Sequence, residues 1–220
     1  MFRAAIFDLD GTLLDSMSVW EKIDMDFFTK RNLVLPDTYV EEINGLCFRE
    51  AAEHTIKLFN LNEHAEDIMR EWDDMAMHEY SHNIGLKPFA KEYLAHLKSR
   101  GIKLATATSL SRKLAEPVLK KNGIHDFFDA QCFSDEVTRG KNFPDIYLLA
   151  AQKINTAPNE CILFEDLLQG IVCAKSIGMK TVGVYEESFK TDWDEMQRVA
   201  DACLYSFEDA PLLFDFEAEK

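Results

Sequence analysis

Two aspartates, Asp8 and Asp10, follow the apolar run Ala4 to Phe7 and precede Gly11 and Thr12. On a strand, residues two apart project to one face. Two carboxylates about 4 Å apart repel by about 4 kcal/mol at an effective dielectric near 20, so a buried pair there calls for a positive partner. The plainer reading of the same residues is an Asp-Gly turn with solvated acids. Three further groups bear on the choice. Thr108 and Ser109 end the run Ile102 to Thr108; hydroxyls before a helix N-terminus suit phosphate oxygens. Lys141 closes the segment Asp135 to Lys141 as a point charge on a flexible stem, suited to an anion. Glu165 and Asp166 follow the apolar run Cys161 to Phe164. Each alone reads as surface decoration; four deliveries to strand ends point to one site handling phosphate and a cation.

The elements that must position these groups follow from periodicity. Ala4 to Phe7 is a nearly unbroken apolar run, as in a strand buried on both faces. After Ser16 the pattern is helical for about seventy residues. Val19, Trp20, Ile23 and Phe27 form one face, with a capping box expected from Ser18 and Glu21. Pro36 and the Thr38 to Glu41 pair mark a second start, and Gly45 interrupts it. Phe48, Ala52, Thr55, Ile56 and Phe59 make a third face; Ile68, Trp72, Met75 and Ala76 make a fourth. From Gly85 helices and strands alternate. Helices are expected around Phe89 to Leu97, Arg112 to Asn122, Pro144 to Ala151, Leu167 to Ile177 and Asp194 to Val199. Strands are expected at Ile102 to Thr108, Ala130 to Phe133, Cys161 to Phe164, Thr181 to Tyr185 and, weakly, Ala202 to Tyr205. This alternation predicts an α/β fold, a doubly wound, Rossmann-like parallel sheet with right-handed crossovers and an inserted all-helical cap. Residues 1–15 and 85–220 would form the core and residues 16–84 the cap. The acidic segment Glu208 to Lys220 carries no functional reading. In such a sheet, ligands bind beyond the carboxyl ends of the strands, where all four groups fall.

Composition narrows the partners. With 220 residues, 47% of them apolar and 16 Phe, the chain can bury a substantial core. A formal charge of -15 argues against nucleic acid or an anionic membrane as partner. No signal-like segment or bilayer-length apolar stretch is evident, so a cytoplasmic location is expected. Five scattered cysteines without a C-x-x-C pair read as reduced, structural thiols. Oligomeric state is left open, a monomer being slightly favoured.

Taken together, Asp8-Leu9-Asp10-Gly11-Thr12, Thr108, Lys141 in Gly140-Lys141-Asn142-Phe143-Pro144-Asp145, and Glu165-Asp166 resemble the motifs of the haloacid dehalogenase superfamily. The helical insert looks like the small cap of its phosphoglycolate phosphatase and beta-phosphoglucomutase subgroup. Asn142 departs from the proline usual after the lysine, which touches local stiffness more than chemistry. The resemblance implies a phosphatase of a small phosphorylated metabolite, of sugar or polyol phosphate type. Asp8 would be the nucleophile forming an aspartyl-phosphate, and Asp10 the acid and base. Mg2+ would sit between Asp8, the backbone carbonyl of Asp10 and Asp166, with Glu165 holding a metal-bound water. Thr108 and Lys141 would orient and neutralise the transferring group, with Gly11, Ser109 and Arg49 contributing to phosphate or substrate binding.

Two rivals follow. A phosphosugar mutase of the beta-phosphoglucomutase type shares the aspartyl-phosphate. Such relatives carry a histidine early in the first cap helix and a lysine farther on, where this chain has Ser18-Val19-Trp20 and no lysine in Trp72 to Met77. Arg49 falls one residue late for the mutase loop. A zinc metalloprotease is suggested by His78-Glu79-Tyr80-Ser81-His82, which matches H-E-x-x-H. Against it, the helix ends within a few residues, Pro88 stands where the longer pattern needs histidine, and no third ligand is evident.

Overall fold

Four fully buried residues, Ala4–Phe7, form β1 at the centre of a sheet with no wet face. The computed structural model describes residues 2–43 and 45–210. Flanking β1 are β4 (Lys103–Ala107) and β6 (Cys161–Glu165), then β5 (Ala130–Cys132) on one side and β7 (Lys180–Val184) and β8 (Ala202–Leu204) on the other. The order is β5-β4-β1-β6-β7-β8, with every pairing parallel. Phe7 stands level with Thr106 and Phe164, so the residues just beyond each strand emerge at one edge. The ladder continues to that edge through Asp8 N to the Phe164 carbonyl at 3.0 Å and Thr108 N to the Cys132 carbonyl at 3.2 Å.

The crossovers are α5 (Ala90–Ser99), α6 (Arg112–Lys121), α7 (Asp145–Lys153), α8 (Leu168–Ser176) and α9 (Trp193–Val199). Under one sheet face, Phe7 stacks on Phe164 at 4.6 Å, and Tyr93 and Phe207 complete the cluster. Against the other face, Ile146, Tyr147 and Ala150 of α7 pack on Ala4, Ile6, Ala105 and Leu163. Small strand residues there let the helix approach closely. All five cysteines are free, four of them buried, as small hydrophobes commonly are.

Among the described residues four helices lie between the first strand and the rest of the sheet: α1 (Met17–Lys30), α2 (Tyr39–Ile43), α3 (Phe48–Phe59) and α4 (Ala65–His82). Phe27, Phe28, Tyr39, Phe48, Phe59 and Trp72 pack edge to face or tilted inside them, with centroids 4.8 to 6.4 Å apart. Arg31 closes one side through Glu63 and Glu71, both at 2.7 Å, over the Phe27 ring.

Three local expectations change. The capping box of Ser18 and Glu21 does not form: Ser16 is the N-cap residue of α1, and its hydroxyl bonds Asp10 instead. Thr38 pairs with Glu42, at 2.8 Å, rather than Glu41. The chain also enters and leaves the helical insert through a two-stranded antiparallel ribbon, β2 (Leu14–Asp15) with β3 (Gly85–Leu86). Two-residue strands are too short to leave a period. Of the acidic tail, residues 211–220 lie outside the described residues.

Candidate active site

Lys141 is 2% exposed and is the centre of charge. Its ammonium touches Asp8 Oδ1 and lies 2.7 Å from Glu165 Oε2. Glu165 is fully engaged: Tyr147 donates to Oε2 at 3.2 Å and Leu167 N to Oε1 at 3.2 Å. Asp166 accepts from Thr12 Oγ1 at 3.0 Å. Gly11 has a φ of +72°, and a Cβ on it would collide with the Asp166 carboxylate; a glycine here is what lets the first strand's loop reach the fourth delivery.

Three carboxylates share one ammonium. Burial, then repulsion from Glu165, raises Asp8 to about 7 against the pull of Lys141. The same causes, with Asp8 added, hold Asp166 well above the carboxylate range. Burial works against charge on Lys141, but Asp8 and Glu165 outweigh it and keep the group an ammonium. Oxygens of Asp8, Glu165 and Asp166 all lie within 4.8 Å of one another. A hard dication fits this donor set, since it would offset the repulsion that raises Asp8 and Asp166.

Asp10 is held apart from this cluster. Ser16 Oγ and Tyr80 OH both donate to its Oδ1 at 2.6 Å, and Trp20 Nε1 lies 3.4 Å from Oδ2 while donating to Tyr80 at 2.6 Å. Burial raises its carboxyl, and the donors Ser16, Tyr80 and Trp20 work against that rise. With the side chain so engaged, the group it leaves for a cation is its backbone carbonyl, which accepts no hydrogen bond among the described residues.

Thr108 and Ser109 line the same cavity, of about 190 Å³, with Asp8, Asp10, Lys141 and Asp166. Thr108 Oγ1 accepts from Leu110 N at 3.1 Å, which leaves its proton available to a ligand. The opposite wall belongs to the helical insert, and among the described residues it is apolar except for Asp24.

Arg49 is the exception among the residues singled out by sequence. It pairs with Glu66 at 2.8 Å with half of its side chain exposed, and it does not line the cavity. It stands at the second position of α3, and the helix turns it outward. The H-E-x-x-H stretch is the end of α4: His78 and His82 stack at 4.8 Å and Glu79 accepts from Asn83. Among the described residues the one metal-sized group is Asp8, Glu165 and Asp166, so the zinc reading gains no third ligand. What the stretch does supply is Tyr80, for Asp10.

Sequence reasoning missed Ser16, Trp20 and Tyr80 around Asp10, Tyr147 on Glu165, and Asp24. Ser16, Trp20 and Asp24 recur every four residues, one face of a helix, and that spacing was the available signal.

Acids, hydroxyls and one ammonium gathered at the carboxyl edge of a doubly wound sheet, beneath a helical insert, define an α/β enzyme with a buried anion-handling centre. The family model described as haloacid dehalogenase-like hydrolase matches residues 5–184, and the chain belongs to that family. It is similar to the phosphorylated carbohydrates phosphatase of Thermotoga maritima, with 28% identity over 184 residues covering 82% of this chain and 83% of that protein. Its fold matches CbbY from Rhodobacter sphaeroides, solved with xylulose-(1,5)bisphosphate, with a TM-score of 0.83 at 23% identity over 95% and 96% of the two chains. Beta-phosphoglucomutase from Clostridium difficile gives a TM-score of 0.79 at 25% identity over 94% and 92%.

Proposed function

We propose that the chain is a magnesium-dependent phosphatase of small phosphorylated metabolites, of sugar or polyol phosphate type. The observation that carries this is the unlike treatment of two carboxylates two residues apart. Asp8 faces Lys141; Asp10 faces only neutral donors. Paired groups in opposed environments are how one site separates a nucleophile from an acid and base. The name of the Thermotoga relative supports the substrate class.

Asp8 attacks phosphorus while the bond to the ester oxygen breaks, and that oxygen takes the proton of Asp10. Asp10 then removes a proton from water, whose oxygen attacks the aspartyl-phosphate and releases Asp8 and inorganic phosphate. Lys141, Thr108 and Ser109 bind the phosphoryl oxygens throughout, because this transfer depends chiefly on position and charge. Mg2+, held by Asp8, Asp166 and the Asp10 carbonyl, would supply charge neutralisation between the nucleophile and a dianionic phosphate. Glu165 keeps Lys141 in place and stands beside the metal position. Residues 16–84 act as the cap and residues 1–15 and 85–220 as the core. Among the described residues no histidine or lysine of the cap lines the cavity, which favours water over a second sugar hydroxyl as acceptor.

The test is phosphate release from sugar, polyol and nucleotide monophosphates with Mg2+, beside EDTA and Asp8→Asn controls. Metal-dependent release lost in Asp8→Asn is expected. No release, with Asp8 still phosphorylated by an acyl phosphate, would move the assignment to a mutase.

A further inference from the structure

The cavity has two unlike halves. Its floor is Asp8, Asp10, Thr108, Ser109, Lys141 and Asp166; its roof includes Trp20, Val40, Ile43, Phe48 and Trp72, and among them one carboxylate, Asp24. Asp24 is 8% exposed and lines the cavity, and none of the hydrogen bonds or ion pairs among the described residues involves it. The hydroxyl of Tyr39, which interacts electrostatically with Asp24, donates to Thr55 Oγ1 at 2.7 Å, because Thr55 itself donates to the Ala51 carbonyl. Glu21, on the same helix, is a like charge. Buried carboxylates are ordinarily paired, so one that faces a cavity without a partner in the chain is satisfied by what enters there, water or a ligand.

Position says where that partner would sit. Trp20 and Asp24 lie four residues apart on α1, hence on one face and about one turn, 5.4 Å, apart along the axis. The Trp20 indole reaches Asp10. Moving outward from the proton donor of the reaction, a ligand meets an indole and then a carboxylate. Trp20, Phe48 and Trp72 form one continuous aromatic group, with centroids 6.2 and 5.3 Å apart.

We propose that Asp24 receives a protonated amine on the organic portion of the phosphate ester, making the enzyme selective for amino-bearing esters over their hydroxyl counterparts. The inference rests on the phosphatase reading. A neutral hydroxyl opposite Asp24 would leave that carboxylate without a counter-charge, which is costly in apolar surroundings. A single ammonium supplies the charge Asp24 lacks and gains from neighbouring aromatic rings. Burial, followed by Glu21, pushes the Asp24 carboxyl up to about 7, and an incoming cation reverses that push.

The test uses the full chain with Mg2+ and matched esters: 2-aminoethyl against 2-hydroxyethyl phosphate, 3-aminopropyl against 3-hydroxypropyl phosphate, and propyl phosphate. The amine member of at least one pair is expected to have the higher kcat/KM by about tenfold, and Asp24→Asn to bring that ratio near one. Asp24→Leu should reverse the order, favouring propyl phosphate over 3-aminopropyl phosphate. Asp24→Asn should also raise the Tm of the ligand-free enzyme at pH 8, which loss of a structural carboxylate would not do. Equal use of both members of each pair, preference for the hydroxyl members, or a ratio indifferent to Asp24→Asn overturns the inference. Phosphate release from propyl phosphate by the unaltered enzyme in those cases shows the phosphatase reading intact; no release from any ester overturns that reading instead.

Discussion

The floor and the roof of the cavity bury charge by opposite rules. On the floor each ionisable group has a partner: Lys141 lies between Asp8 and Glu165, Thr12 holds Asp166, and Ser16 and Tyr80 hold Asp10. On the roof Asp24 has none among the described residues. A paired charge is set in position before any ligand arrives, whereas an unpaired one is satisfied only by what enters. The contrast teaches that the charges on the floor are held by partners from both the sheet edge and the helical insert, Ser16 and Tyr80 among them, whereas the carboxylate of the roof is left to what enters. The two halves meet at Gly140, beside Lys141, where a Cβ would collide with backbone of Gly45, Leu46 and Cys47. Glu50 ties them further, accepting from Gly140 N at 3.1 Å and Cys47 N at 2.7 Å.

The contrast can be broken at several points. Asp8→Asn should lower phosphate release at least ~10⁴-fold, because it removes the proposed nucleophile; initial rates that keep a tenth of the activity would refute the assignment. Lys141→Met leaves Asp8 and Glu165 facing each other uncompensated, and should cost about 3–5 kcal/mol in denaturant unfolding at neutral pH. A loss below 1 kcal/mol would show that the floor does not depend on its pairing.

The roof is predicted to behave in the opposite sense. The folded Asp24 carboxyl titrates at about 7 instead of 3.8, through burial and then Glu21, with Tyr39 the other titratable group facing it. Below pH 4 both folded and unfolded chains hold the proton, and the group is neutral to stability. As pH rises to 7 the unfolded chain ionises first, so stability falls and the penalty is complete above pH 7. Asp24→Asn should therefore match the parent at pH 4 and exceed it at pH 8 by on the order of 4 kcal/mol. Unfolding curves at the two pH values decide it; a variant less stable at pH 8 would place Asp24 among the paired groups.

Smaller effects sharpen the picture. Tyr80→Phe removes one donor to Asp10 and should lower kcat by about tenfold. Because that donor favours the carboxylate, its loss raises the Asp10 pKa and moves the basic limb of the pH–rate profile upward. An unmoved limb would mean that Tyr80 packs against Asp10 without tuning it. Arg49→Ala should change KM by less than about twofold, since an exposed ion pair with Glu66 contributes little. A tenfold rise in KM would return Arg49 to the site.

Much of this architecture was legible without coordinates. Ala4 to Phe7 and Cys161 to Phe164 read as buried strands from their unbroken apolar runs. Acids beyond such strands had to meet at the carboxyl edge once the alternation implied a parallel sheet. Asp8, Asp10, Thr108, Ser109, Lys141 and Asp166 do line one cavity. Arg49 was misplaced because a motif offset of one residue on a helix rotates a side chain by about 100°, and α3 turned it to Glu66.

What the sequence by itself determined, then, is which groups arrive at the sheet edge, because strand period and helix period are local properties that a few neighbouring residues encode. Only the tertiary structure decided what each group meets there. Tyr80 stands 70 residues from Asp10, and Thr12 stands 154 from Asp166. The pairing of Leu14 with Leu86 across the β2–β3 ribbon returns the chain to the core where the helical insert ends. Whether a carboxylate is a nucleophile beside an ammonium, an acid among hydroxyls or an unpaired charge in an aromatic roof depends on desolvation and on neighbours within a few ångströms. No local period carries that information, because those neighbours come from distant parts of the chain.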